Sequence, residues 1–154
     1  MLSKKLIGSF MLAGPFLAIA SLFLDPPGGD DETFEQLLQG MAENYTIASI
    51  SVVVWFVAIM IIFIGIHSLA RSMQGEQKPG SDLAGLASVF AFLAAAVATA
   101  SSGIQLSLMD ASYVDRGGDV ANAYAISEGL FNRCVFPLVG ASMFLLGIAI
   151  VRKK

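Results

Sequence analysis

The chain is poor in most of what active-site chemistry draws on. It holds one cysteine, one histidine and one tryptophan in 154 residues, and only 14% of its residues are charged. Soluble domains carry about a quarter charged residues. The lone cysteine, Cys134, excludes an internal disulfide and any multi-cysteine metal site. The lone histidine, His67, excludes a haem held by two histidines of this chain, while a single axial ligand or a site shared with another subunit stays open. No nucleophile elbow, phosphate loop or zinc-protease motif occurs. The acidic stretch "DPPGGDDE" lacks the spacing of an EF-hand loop and reads as a solvated face. A net charge of −3 and a pI near 4.9 give no footprint for nucleic acid. Neither a cofactor nor a metal site is expected.

Apolar sequence fills the space that charge leaves. Hydrophobic residues make up 56% of the chain and its mean hydropathy is +0.74. Uncharged runs extend from Leu6 to Leu24, Ile47 to Ile66, Leu83 to Met109 and Cys134 to Val151. A hydrocarbon layer of ~30 Å needs about 20 helical residues, so each run is long enough to span. The expected architecture is all-α: a transmembrane four-helix bundle forming a single domain, 1–154, with spans near 6–24, 46–70, 83–109 and 125–151. The first run is too long for a signal-peptide core, and "SLFLDPP" offers no small-residue cleavage site, so it reads as a retained span.

Charge gives the orientation. Lys4, Lys5, Arg71, Lys78, Arg152, Lys153 and Lys154 fall on one side of this topology, and only Arg116 and Arg133 on the other. Ten of the twelve acids lie with those two, Glu76 and Asp82 being the exceptions. The positive-inside bias therefore places both termini in the cytoplasm.

Between spans one and two, Pro and Gly in "DPPGGDDE" forbid a continuing helix, after which Asp30 or Asp31 can cap a short one. Phe34, Leu37, Leu38, Met41 and Tyr45 give that segment an apolar face opposite Glu32, Glu35, Gln36, Gln39 and Glu43. This is a short amphipathic helix at the outer surface, serving as a lid over the bundle or a docking surface for a partner. Ser81 or Asp82 can cap span three. That span carries a stripe of small residues, Ala84, Ala87, Ser88, Ala91, Ala94, Ala95, Ala98 and Ser102, which places it at the centre of helix packing. "VANAYAISEGLFN" is too polar for lipid on all sides, so span four extends beyond the membrane as one helix.

The arginine inside "EGLFNRCVFPLVG" is the strongest anomaly. Arg133 stands nineteen residues before Arg152, which is ~28 Å of helix, and so reaches the outer boundary. Asp25 reaches the same layer from span one, with Gln105 slightly higher on span three. Pro137 removes the hydrogen bond to the Arg133 carbonyl and predicts a kink. Asp25, Gln105, Asn132, Arg133 and Glu128 thus form a candidate polar layer for a small ligand or a cation. The competing reading is a snorkelling arginine with one ion pair, Asp25 to Arg133, that fixes helix register.

A first span ending "LDPPG", a second ending "GIHSLAR", a small-residue third and a fourth beginning "AYAISEGLF" resemble four-span prokaryotic integral membrane proteins grouped under a domain of unknown function. The resemblance implies a multi-pass protein of a prokaryotic cell membrane and carries no activity or catalytic residues. Two functions remain. One is a non-enzymatic accessory or structural subunit of a larger membrane complex, contacting other membrane subunits through Phe34, Leu38, Ala91 and Ala95. The other is a small-ligand carrier, sensor or enzyme using the layer around Arg133.

Overall fold

Helix α1 starts where Ser3 accepts a hydrogen bond from the Leu6 amide at 3.2 Å, and it runs Lys4–Leu22. Three residues on it are buried, Ile7, Gly14 and Ser21, each seven positions from the next. Helix α3, Tyr45–Met73, buries Ser51, Ala58 and Gly65 at the same spacing. A seven-residue period keeps one seam facing a neighbour along a shallow left-handed crossing. The two seams meet antiparallel. The Ser51 hydroxyl donates to the Ser21 carbonyl at 3.2 Å. A Cβ on Gly14 would strike Ile62 and come 3.1 Å from the Ala58 carbonyl, so only glycine allows this approach. The seam residues are small because lipid gives no hydrophobic reward for large ones; close backbone approach is what binds the helices.

The computed structural model describes residues 3–24, 33–75, 78–109 and 118–152. Within these, α4 runs Ser81–Leu108, α5 Gly118–Leu130 and α6 Phe136–Arg152, with a π-helical turn, Phe131–Val135, joining α5 to α6. Four segments, the last being the joined α5–α6, are long and apolar enough to cross a membrane. They pack in chain order as an up-down bundle: α1 chiefly against α3, α3 against α4, and α4 against α5, the π turn and α6. The stripe on α4 occupies the centre as expected. Ala84, Ala87, Ser88, Ala91, Ala94, Ala98 and Ser102 are buried there and Ala95 is half-buried.

The sequence places a kink at Pro137, and the structure has a π turn immediately before it. Register explains the extra residue. The Ser142 hydroxyl donates to the Ala87 carbonyl at 2.7 Å, and Ser127 exchanges hydrogen bonds with Ser101 at 2.9 and 3.0 Å. From Ala87 to Ser101 is fourteen residues, but from Ser127 to Ser142 is fifteen. The π turn absorbs the surplus one, so both serine contacts are made on the same face of α4.

Two caps differ from expectation. Thr33, not Asp30 or Asp31, caps α2, Phe34–Glu43: its hydroxyl accepts from the Gln36 amide at 3.3 Å while Gln36 Oε1 accepts from the Thr33 amide at 2.9 Å. Asp30 and Asp31 lie outside the described residues. Gly80, not Ser81 or Asp82, caps α4, with φ +78°. A Cβ there would sit 2.9 Å from the Ala149 carbonyl oxygen, so both the left-handed backbone and the contact with α6 require glycine. The Ser81 hydroxyl accepts instead from the Gly75 amide at 3.0 Å. Finally, α2 folds onto its own bundle. Met41 joins Ala48, Met109, Val120, Ala121 and Tyr124 in a small core of its own, with Leu37 packed against it. Met41 and Leu37 of this helix therefore face the chain's own bundle.

Candidate functional site

Under α2 lies a cavity of about 170 Å³ to which five helices contribute. Ser21 and Leu22 come from α1, Met41 from α2, Ser51, Val52 and Trp55 from α3, Gln105 from α4 and Tyr124 from α5. Each is placed by packing already described. The seven-residue seam brings Ser21 and Ser51 together, and α4, at the centre of the bundle, carries Gln105 between α3 and α5. Trp55 forms one wall and packs against Phe131 of the π turn, ring centroids 6.1 Å apart and tilted by 48°. Phe131 in turn meets Phe136 edge-on at 5.7 Å. The π turn therefore does more than absorb a residue; it aims the aromatic ring that backs the cavity wall.

The polar atoms differ in what they have left to give. The Ser21 proton goes to the Ala18 carbonyl at 2.8 Å and the Ser51 proton to the Ser21 carbonyl. The half-buried Gln105 carboxamide makes no hydrogen bond among the described residues. A carboxamide offers both a donor and an acceptor. A half-buried carboxamide gains most from a partner that satisfies both of its ends. The volume corresponds to roughly six waters at ~30 Å³ each. It falls below the ~300 Å³ at which pockets for drug-sized ligands begin. Among the described residues, no three His, Cys, Asp or Glu side chains gather as a metal site. Among the described residues, the lining offers hydroxyls, an indole and one carboxamide and no charged side chain.

The polar layer expected from the sequence is divided in the structure. Gln105 lines this cavity. Arg133, exposed, lines a different groove along α5 and the π turn with Asn122, Ala125, Ile126, Gly129, Leu130 and Cys134. Asn132 is exposed beside it and Glu128 is half-buried. Asp25 lies outside the described residues, as therefore does its pairing with Arg133. Of the expected partner contacts, Ala91 is buried in the chain's own core and Ala95 is half-buried against it. Phe34 lies on α2, and so does Leu38; their side chains lie outside the described set.

Sequence reasoning missed Ser21, Ser51, Trp55 and Tyr124 as cavity residues. A signal for the serines was present, since Ile7, Gly14, Ser21 and Ser51, Ala58, Gly65 repeat with one period. Nothing comparable marks Tyr124, whose position depends on how α5 meets α2. The chain matches no family model, no curated protein and no solved structure.

Proposed function

We propose that this is a non-catalytic integral membrane protein that takes a small neutral polar molecule into the cavity beneath α2, as a carrier or sensor. The observation that carries the reading is a half-buried carboxamide, Gln105, without a hydrogen bond among the described residues, held where five helices converge under a lid. The basic residues set the orientation of the proposal: termini in the cytoplasm, lid and cavity on the outer side. The test uses Trp55, the chain's only tryptophan and a wall of the cavity. Urea, glycerol, ethylene glycol and acetamide are each titrated against the purified protein in nanodiscs. A saturable change in Trp55 fluorescence with one of them, lost in Gln105→Leu at unchanged thermal stability, is the expected result. No saturable response to any of the four counts against the reading.

One observation favours a second reading, an accessory subunit. Along α5, Ala125 and Gly129 line an open groove, and a Cβ on Gly129 would meet nothing within 4 Å. Small residues one turn apart let another helix approach closely. If a subunit docks there, Gly129→Leu releases it from complexes purified in mild detergent while the fold persists.

A further inference from the structure

Farther along the α3–α4 seam, towards the end that carries the termini, is a second cavity, of about 140 Å³. Met60, Phe63, Ile64, Ala91, Phe92 and Ala95 give it an apolar lining, and His67 supplies the only polar side chain among the described residues that line it. Phe63 and Ala91 are buried, whereas Ile64 and Phe92 are exposed. The mouth therefore opens on the flank of the bundle, where lipid would lie, and not on either end. An apolar cavity of about this size takes one benzene ring.

The histidine is oriented by a hydrogen bond to the neighbouring helix. Its Nδ1 lies 2.7 Å from the Ser88 hydroxyl of α4, which fixes the ring plane. Among the described side chains of the lining, Nε2 is then the one hydrogen-bonding atom left over. With Ser88 donating, Nε2 carries a proton and can donate; with Ser88 accepting, Nε2 is an acceptor. An acyl chain would fill the volume and leave this nitrogen unmet, at the cost of a desolvated polar atom. A ring bearing oxygen substituents satisfies both surfaces, since a carbonyl oxygen accepts and a hydroxyl can also donate.

We propose that this flank cavity binds the head ring of a membrane-dissolved quinone or quinol, with a ring oxygen hydrogen-bonded to His67 Nε2 and the tail left in lipid. The site is separate from the cavity under α2 and stands or falls without it.

His67 is the only histidine, so a protein labelled with ¹⁵N-histidine gives one pair of imidazole nitrogen signals. In nanodiscs, a decyl-tailed benzoquinone is expected to move the Nε2 signal saturably, and decylbenzene, which has no oxygen, is not. His67→Phe, which keeps a ring in the lining, is expected to weaken quinone binding about tenfold, near the upper end of what one hydrogen bond contributes. If the wild-type signal ignores the quinone, or decylbenzene moves it equally, the cavity is a seat for any hydrocarbon and the proposal is overturned. Because the deciding measurement is made on the wild-type protein, a variant that fails to fold does not blunt it.

Discussion

A serine hydroxyl in hydrocarbon gains from an acceptor, and in this chain four of the buried ones find carbonyls on a neighbouring helix. Ser51 reaches Ser21, Ser142 reaches Ala87, and Ser101 and Ser127 each reach the other's carbonyl. Such contacts in membrane bundles contribute about 0.6 kcal/mol each on average. The two hydroxyls of Ser101 and Ser127 also lie 3.0 Å apart, so two accounts of the pair are available. If the hydroxyl-to-carbonyl bonds dominate, Ser101→Ala and Ser127→Ala should each cost about 0.6 kcal/mol and the double variant about twice that, because a backbone carbonyl survives substitution. If the hydroxyl-to-hydroxyl bond dominates, the double variant should cost no more than either single. We expect additivity, and unfolding titrations in mixed micelles would measure it. From the sequence these serines read only as small residues, because size and hydrogen bonding ask for the same residue at a close helix crossing. Their partners depend on register, which no single helix specifies.

At the scale of an element, the π turn is the clearest case of local structure dictated from elsewhere. Leu130 to Val135 contains no glycine, and nothing in it forbids a regular helix. The turn exists because α5 and α6 must both keep register with α4 while Pro137 follows directly. A proline clashes with the carbonyl four residues before it in a regular helix, at a cost of about 3 kcal/mol. Two demands therefore coincide at one place. Deleting Asn132, an exposed residue of the turn, should restore the fourteen-residue spacing but set Pro137 against a regular helix. The deletion alone is expected to lower the thermal midpoint. Adding Pro137→Ala should return it to near the wild-type value. Deleting Gly147, which is exposed but lies beyond Ser142, keeps the fifteen-residue spacing, shifts Ala149 away from Gly80, and should not be rescued by the same change. Equal loss in both deletions, with or without the proline, would show that the turn is not a register device. The four spans were legible because a run of apolar residues needs no partner to be recognised. The apolar face of α2 was legible but its neighbours in the bundle were not, since an amphipathic face states that it is covered and not by what.

The whole molecule is built with its small residues inside and its large apolar ones outside. Ala58, Ala84, Ala87 and Ala149 are fully buried, while Leu12, Phe16 and Phe144 are 69–78% exposed. In water this arrangement would leave a large apolar surface uncovered. In lipid it is the favourable order, because side chains as apolar as the acyl chains gain nothing from hiding. The chain thus has the build of a multi-pass membrane protein, and α1, packed mainly on one neighbour, stands at the edge of its bundle. Charge adds the direction. Lys78 and Arg152 line one hollow beside Gly80 at the end of the bundle that carries the termini, and Asn44 is exposed at the lid end. By the positive-inside bias we propose that the first end faces the cytoplasm. The test replaces Cys134 with serine and introduces one cysteine at a time, Lys78→Cys or Asn44→Cys, both at exposed positions. A membrane-impermeant maleimide added to intact cells should label the Asn44 variant and leave the Lys78 variant untouched until the membrane is permeabilised. The reverse pattern would place the lid and its cavity in the cytoplasm, and any ligand of Gln105 would then have to be sought among cytoplasmic solutes.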